Sequence, residues 1–96
     1  MTKADIINEI SSQTGIDKAD VGVTVEAFFS IVKDNMSNGE NIYVRGFGSF
    51  VNKRRAKKIA RNISQNTEMV IDAHYVPSFK PAKVFVEQVK SNVKPD

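Results

Sequence analysis

Apolar positions in the first 39 residues follow the spacing of two amphipathic helices. Thr2 followed three residues later by Asp5 is typical of a helix N-terminus, and Thr14-Gly15 is expected to end the helix that begins there. A second helix is predicted to start at residues 17–20 and to stop at Asn38-Gly39, where glycine can take a left-handed conformation. Together they should form a helical hairpin with one apolar side.

The middle of the chain changes to the alternation that is typical of β-strands. A short strand is predicted over residues 41–45, followed by a glycine turn at 46–48 and a second strand from Ser49. A third strand is predicted over residues 69–76, where Pro77 is expected to end it. Sequential strands of this kind favour an antiparallel sheet.

The segment between the second and third strands, residues 53–68, has almost nothing to bury. It should therefore project from the body as a β-hairpin arm. Its tip is expected at Ser64-Gln65-Asn66, since asparagine can adopt a left-handed conformation. Near the end of the chain, Pro81 suits the first turn of a last helix that continues through Val89.

These elements predict an α+β fold: a two-helix hairpin, a three-stranded antiparallel sheet with a protruding arm, and a C-terminal helix. The length of 96 residues suits a single domain over residues 1–96. Within it we assign 1–39 to the helical hairpin and dimerisation region, 40–79 to the sheet, about 53–72 to the arm and 80–93 to the last helix.

A chain this short buries only a modest fraction of its surface. A small sheet with a helical hairpin on one side leaves a large apolar surface, which association with a second chain would cover. We therefore predict an obligate, intertwined dimer. Its shared core is expected to contain Phe28, Phe29, Val32, Phe47, Phe50, Phe79 and Phe85.

Charge is unevenly distributed along the chain, although the net charge is only +3. Residues 1–40 contain three basic and seven acidic residues, whereas residues 41–67 contain seven basic and no acidic ones. Six of the nine residues from Lys53 to Arg61 are basic. Segregated positive charge of this kind attracts a polyanion whatever the overall total.

An isolated basic stretch is usually no more than a solvated surface. Here no carboxylate interrupts the run, and it lies in a predicted hairpin, which favours binding of nucleic acid. Alternation would charge both faces of the ribbon, so it could reach phosphates on both strands of a duplex while lying in a groove. The predicted faces are Lys53, Arg55, Lys57 and Arg61 on one side, and Arg54 and Lys58 on the other.

Arg61, Asn62 and Ile63 directly precede the predicted tip of the arm. Arginine and asparagine side chains suit the minor groove, where hydrogen-bond acceptors dominate. Ile63 is an apolar residue at an exposed turn. It either packs within the hairpin or acts as a wedge between base pairs that kinks the duplex.

Catalytic and metal chemistry find little support in the sequence. Cysteine is absent and His74 is the only histidine, so we expect no metal site, no cofactor and no enzymatic activity. The glycines at 46 and 48 lead into a strand rather than a helix, which argues against dinucleotide binding. No apolar run approaches the roughly 20 residues of a membrane span, and no leader pattern is visible, so a soluble cytoplasmic protein is expected.

Three groups of residues resemble the bacterial histone-like HU/IHF family, and the resemblance extends over almost the whole chain. They are Gly46-Phe47-Gly48-Ser49-Phe50, Arg55-Ala56 with Arg61-Asn62, and Val76-Pro77-Ser78-Phe79 with Lys83. The resemblance implies a nucleoid-associated homodimer, or a heterodimer with a related chain. Such a dimer would grip the minor groove of double-stranded DNA with two arms, and would bend and compact the duplex with little sequence specificity.

The resemblance also implies phosphate contacts from the body of the protein. The expected DNA-binding residues are Lys3, Arg45, Gly46, Gly48, Ser49, Lys53, Arg54, Arg55, Lys57, Lys58, Arg61, Asn62, Lys80 and Lys83, with Ile63 as the wedge. The arm tip departs from the family pattern. Ile63 stands where the family usually has proline, and Ser64-Gln65-Asn66 replaces a Gln-Thr-Gly turn. A branched isoleucine is more mobile than a rigid proline, so the kink is expected to differ.

Two other functions would use the same arm. One is that of a sequence-preferring, IHF-like subunit of a heterodimer at defined regulatory sites, which the sequence alone does not separate from the first function. The other is binding of RNA, an anionic membrane or an acidic partner. A membrane is disfavoured because the basic run is not amphipathic at helical spacing. RNA is disfavoured because the wide, shallow minor groove of an A-form helix fits a slender ribbon poorly.

Overall fold

The structure, a computed structural model, describes residues 1–62 and 64–95. These residues form three helices and five strands. In chain order they are α1 (Lys3–Thr14), α2 (Lys18–Ser37), β1 (Ile42–Val44), β2 (Gly48–Arg55), β3 (Lys58–Asn62), β4 (Thr67–Ile71), β5 (His74–Pro81) and α3 (Lys83–Asn92). The combination of helices with antiparallel sheets confirms the predicted α+β class. The chain divides into two compact units, residues 1–35 and 36–96.

Helix α1 begins where the sequence predicted because Thr2 and Asp5 satisfy backbone amides at its N-terminus. The backbone N–H of Asp5 donates to the hydroxyl of Thr2 at 3.3 Å, and the backbone N–H of Thr2 donates to the carboxylate of Asp5 at 2.8 Å. The two bonds form a capping box. At the other end, Gly15 takes a left-handed conformation with φ 75° and donates to the carbonyl of Ser11.

The capping box makes the stability of α1 sensitive to acid. Hydrogen bonds from the backbone and side chain of Thr2 hold the pKa of Asp5 below its ordinary value. A carboxylate whose pKa is depressed by folding stabilises the folded state above its unfolded pKa. That contribution is lost as the pH falls through the folded pKa.

We expect Thr2→Ala to lower the free energy of unfolding by about 1 kcal/mol at neutral pH and to weaken its dependence on acid. Denaturant titrations at neutral and acidic pH measure both effects. Thr24→Ala is a matched control, because Thr24 lies inside α2 and its hydroxyl donates to the carbonyl of Asp20 rather than capping a helix. An acid dependence as steep in Thr2→Ala as in the unmodified protein would contradict the expectation.

The apolar side of the first unit is largely uncovered in a single chain. Val21 is buried, with 4% of its surface exposed, whereas Phe28 and Phe29 are 47% and 42% exposed. Their rings meet edge to face, with centroids 5.6 Å apart. Across the helical hairpin, Lys3 of α1 forms an ion pair with Glu26 of α2, and both side chains stay about half exposed.

The predicted three-stranded sheet is present, with the order β1–β2–β5 and antiparallel pairing throughout. Its register places Ile42 opposite Phe50 and Phe50 opposite Phe79, so an apolar row crosses one face of the sheet. Phe47 extends this row, with its ring centroid 5.1 Å from that of Phe79 and 5.3 Å from that of Phe85 on α3. This aromatic cluster joins the sheet to the last helix.

Gly48 is buried where β2 lies against β5. A Cβ at this position would lie 2.6 Å from the carbonyl oxygen of Lys80 and 2.6 Å from the ring of Phe79, so only glycine fits. The neighbouring Gly46 has φ 81°, a conformation that glycine adopts readily and that allows the tight turn between β1 and β2. The two glycines of the sequence motif therefore have different structural roles: Gly48 allows close packing, and Gly46 allows the turn.

Two predictions at the far end of the sheet are wrong. Pro77 does not end the strand, because β5 is an edge strand paired with β2 alone, and a residue without an N–H is tolerated on such an edge. Pro81 does not start the last helix. It still pairs with Gly48, and the N–H of Ala82 donates to the carbonyl of Phe47 at 2.8 Å. These contacts keep the chain extended, so α3 begins later than the predicted residue 80.

The predicted arm is a separate two-stranded ladder of β3 and β4, and every residue of β4 is exposed. Its register runs from Lys58 opposite Ile71 to Asn62 opposite Thr67. At the turn, Asn66 has φ 50°, the left-handed conformation that the sequence predicted.

The prediction of unbroken strands through the base of the arm is wrong. Residues 56–57 separate β2 from β3, and residues 72–73 separate β4 from β5 at the same level. Asp72 is a poor strand former, and its carbonyl oxygen lies 2.9 Å from Nδ1 of His74. This side-chain contact occupies a backbone group that would otherwise pair across the ladder. The arm therefore consists of two ladders with a break between them.

Candidate nucleic-acid interface

Strand register separates the two faces of the sheet by chemistry. Alternate residues of a strand lie on opposite faces, and paired residues share a face. The face opposite the aromatic cluster carries the pairs Ser49–Lys80, Val51–Ser78, Lys53–Val76 and Arg55–His74. We call this row the cationic face, with Lys53, Arg55 and Lys80 as its fully charged members. Arg54, paired with Tyr75, lies on the other side, in agreement with the predicted alternation.

A second group of predicted residues comes together beside the glycine turn. The residues around it belong to β1 and β2 with the turn between them, to the end of β5 and to the start of α3. One open depression is lined by Arg45, Gly46, Gly48, Ser49, Lys80 and Lys83, together with Tyr43. Because Gly48 is buried and its packing excludes a side chain, its contribution is to let β2 and β5 approach. The cations around it can bind phosphate groups.

The arm continues the positive charge, and one of its cations is paired with a carboxylate. Arg61 pairs with Glu68 across the ladder, and their charged groups are 3.6 Å apart. The sequence run without acidic residues therefore does not give a ribbon without them, since the returning strand brings Glu68. Both side chains are well exposed, so the ion pair contributes little stability and leaves Arg61 free to exchange partners.

The remaining predicted residues of the arm divide between the ladder and its break. Lys58 is the first residue of β3, whereas Lys57 lies in the break between β2 and β3. The prediction that Lys57 shares a strand face with Lys53 required one continuous strand, which the structure does not have. Asn62 pairs with Thr67 through the backbone. The proposed wedge, Ile63, lies outside the described residues.

The arm also carries exposed apolar side chains, which its charge pattern does not reveal. Ile59 is 63% exposed and lies opposite Val70, which is 58% exposed. Met69 is likewise exposed. A ribbon that is both cationic and apolar can contact the phosphates and the sugar edges that line a groove.

Lys3 is the predicted site residue that belongs to the first compact unit. Its ammonium group is already engaged by Glu26, so this charge is partly neutralised within the protein. The other predicted DNA-binding residues among those described belong to residues 36–96.

Sequence reasoning missed His74 and Ser78 as members of the cationic face. Their pairing with Arg55 and Val51 depends on the register of β5, which the expected strand end at Pro77 concealed. Counting back in steps of two from Lys80 would have placed both on the same face. Tyr43, an exposed residue opposite Ser49, was also missed, because its place beside the cationic face depends on the register of β1 with β2.

Other chemistry gains no support from the described part of the chain. No group of three His, Asp or Glu side chains there is arranged to hold a metal ion. No helix among the described residues combines the length and the apolar character that crossing a bilayer requires.

Comparisons with known proteins place this architecture in a family. The model of a family described as bacterial DNA-binding protein matches residues 1–90. Two relatives named DNA-binding protein HU, from Staphylococcus aureus and Geobacillus stearothermophilus, are each 34% identical over 90 residues, which is 94% of this chain and 100% of each relative.

Solved structures give the same result. A cocrystal structure of Anabaena HU with DNA has a TM-score of 0.86 and 28% identity, and the match covers 93% of this chain and 97% of that one. A variant of HU from Thermotoga maritima has a TM-score of 0.70 and 26% identity, with 93% and 99% covered. The helical hairpin, the small sheet and the basic arm define a class of small α+β DNA-binding proteins. The chain belongs to the bacterial DNA-binding protein family, which includes the HU proteins.

Proposed function

We propose that this protein is an architectural, double-stranded DNA-binding protein that bends and compacts the duplex with little sequence specificity. The observation that carries the proposal is the series of cations that runs along the chain from the cationic face into the arm. Lys53 and Arg55 lie at the end of β2, and the ladder that holds Lys58 and Arg61 follows after the break at residues 56–57. Cations of this kind bind phosphates, which fix position and orientation but carry no base sequence. The HU names of its relatives favour this function over that of a sequence-preferring, IHF-like subunit.

The functional unit that we propose is a dimer with two arms, most simply a homodimer. Among the described residues, only Val21 and Gly48 fall in the buried class, and four of the six phenylalanines remain exposed in the single chain. A stable protein of this size requires more buried apolar surface than that. A second copy of the chain would cover these faces and would bring a second arm to the duplex.

The mode of binding that we propose is insertion of both arms into the minor groove, with Ile63 of each arm entering between base pairs. Partial unstacking by an apolar wedge kinks DNA and lets it contact more of the protein surface. Arg45, Lys80 and Lys83 of the depression beside the glycine turn would then hold the phosphates of the bent flanks. We propose a cytoplasmic, nucleoid-associated protein without enzymatic activity.

Binding to intact, nicked and gapped duplexes of one sequence at several salt concentrations tests the proposed function. We expect the logarithm of the association constant to fall linearly with the logarithm of salt concentration, by about 0.9 for each phosphate contacted. Tighter binding to nicked and gapped DNA is also expected, since smooth bending of an intact site costs about 1–6 kcal/mol that a discontinuity largely removes.

Ile63→Ala is the matched variant for the wedge. It should retain most of the affinity that arises from charge and should bend DNA less in a circularisation assay. Equal affinity for the three duplexes would refute the architectural function, and unchanged bending by Ile63→Ala would refute the wedge.

A further inference from the structure

His74 lies on the cationic face, directly opposite Arg55, at the level where the two ladders of the arm are interrupted. We propose that His74 is a phosphate-binding residue that acts only when its imidazole is protonated, so that each arm takes up a proton as it binds DNA. The inference rests on the proposed function and adds to it a residue and a dependence on pH.

The surroundings of His74 are cationic and open to solvent. Its ring is exposed, and it lines a depression together with Arg55, which faces it from β2, and Lys58 of β3. Lys53 lies two residues further along β2 on the same face, and Asp72 is the acidic residue nearest in sequence. A phosphate held by Arg55 and Lys58 would therefore also lie within reach of the His74 ring.

The hydrogen bond at Nδ1 of His74 determines whether Nε2 of the neutral ring can donate or accept a hydrogen bond. Nδ1 lies 2.9 Å from the carbonyl oxygen of Asp72. Because a carbonyl can only accept, Nδ1 carries the hydrogen, and Nε2 of the neutral ring is left with a lone pair. A lone pair repels a phosphate oxygen. Protonation converts Nε2 into a charged donor that can bind the same oxygen.

Protonation of His74 and binding of DNA are therefore coupled. A phosphate bound by the neighbouring cations Arg55 and Lys58 interacts more favourably with a charged ring than with a neutral one. Linkage requires the reverse effect as well: a more acidic solution must strengthen the binding of DNA.

The test compares the full chain with His74→Gln and His74→Lys, by fluorescence anisotropy on a labelled mixed-sequence duplex at about pH 5.5 and about pH 8. His74→Gln keeps a polar side chain that cannot be protonated, and His74→Lys is charged at both values. Because the ring is exposed and its hydrogen bond to Asp72 is confined to the base of the arm, both variants should remain folded, which circular dichroism can verify.

From the higher to the lower pH, the unmodified protein should gain about tenfold or more in affinity relative to His74→Gln at about 0.1 M salt, and its salt dependence should steepen by about 0.9 for each arm. His74→Lys should bind more tightly than His74→Gln at both values. Calorimetry in two buffers with different ionisation enthalpies should detect proton uptake in the unmodified protein that is absent from His74→Gln.

An identical dependence on pH in the unmodified protein and His74→Gln would overturn the inference, as would equal affinities of the two variants. If these results came with salt-dependent binding in all three proteins, the proposed function would stand and only the role of His74 would fall. Absence of duplex binding by all three at both pH values would overturn the proposed function itself.

Discussion

Reversing the charges of Arg55 and Lys58 is expected to remove nearly all duplex binding at moderate salt. Arg55 lies at the end of β2 and Lys58 at the start of β3, so the two residues flank the break through which the arm joins the body. In the proposed dimer, two substitutions in each of the two arms leave four phosphates without their cations. Each such phosphate contributes about 0.9 to the salt slope, so affinity at about 0.1 M salt should drop by about a thousandfold or more.

The measurement is a salt titration of affinity for a duplex of mixed sequence. The slope of log K against log salt should flatten by about 3.6, or about 0.9 for each of the four phosphates that the variant no longer neutralises. Because the substituted side chains are exposed, the melting temperature should change little.

A matched control carries the same change of net charge elsewhere. Lys33→Glu with Lys94→Glu alters exposed basic residues of α2 and of the segment after α3, outside the arm and the cationic face. This control should lose far less affinity than Arg55→Glu with Lys58→Glu. A comparable loss in the two double variants would mean that overall charge, rather than the arm, determines binding.

Val89→Glu is expected to dissociate the proposed dimer and to unfold the chain with it. Val89 is 47% exposed in the single chain, where it borders an apolar depression together with Phe79, Pro81 and Phe85. In an isolated chain a charge here would reach water and change little. In a dimer that covers the depression, it would be buried without a partner, at a cost of at least about 3 kcal/mol for each subunit.

Sedimentation equilibrium and thermal melting at several protein concentrations measure this effect. The unmodified protein should sediment as a dimer at micromolar concentration, with a melting temperature that rises with concentration. Val23→Glu makes the same chemical change on α2 at a valine that is 71% exposed, and it should leave both properties almost unaltered. A folded, stable monomer of the unmodified protein would refute the proposed dimer, and Val89→Glu would then have no large effect.

Features that depend on a few consecutive residues were predictable from the sequence. The capping box of Thr2 and Asp5 and the left-handed conformations of Gly15 and Asn66 are set by short-range hydrogen bonds and steric preference. The three-stranded sheet with its arm also followed, because residues 53–68 have almost nothing to bury. The capping box and the left-handed turns do not depend on which distant segment becomes the neighbour.

Features that depend on the partner strand were not predictable in the same way. Pro77 and Pro81 have clear local preferences, and pairing with β2 overrides both. The break at the base of the arm follows from a contact between Asp72 and His74 that competes with the ladder. At the two prolines, a local preference of about 1 kcal/mol is outweighed by several long-range contacts, which the sequence does not specify.

The sequence by itself determined the chemistry of this protein: a concentrated positive charge on a segment that cannot form a core, joined to apolar elements too small to bury themselves. Charge and hydrophobicity belong to the residues wherever they are placed. The tertiary structure alone decided which of these residues act together. The register of β2 with β5 sets His74 beside Arg55 on the cationic face, because antiparallel pairing joins residues 19 positions apart in the chain.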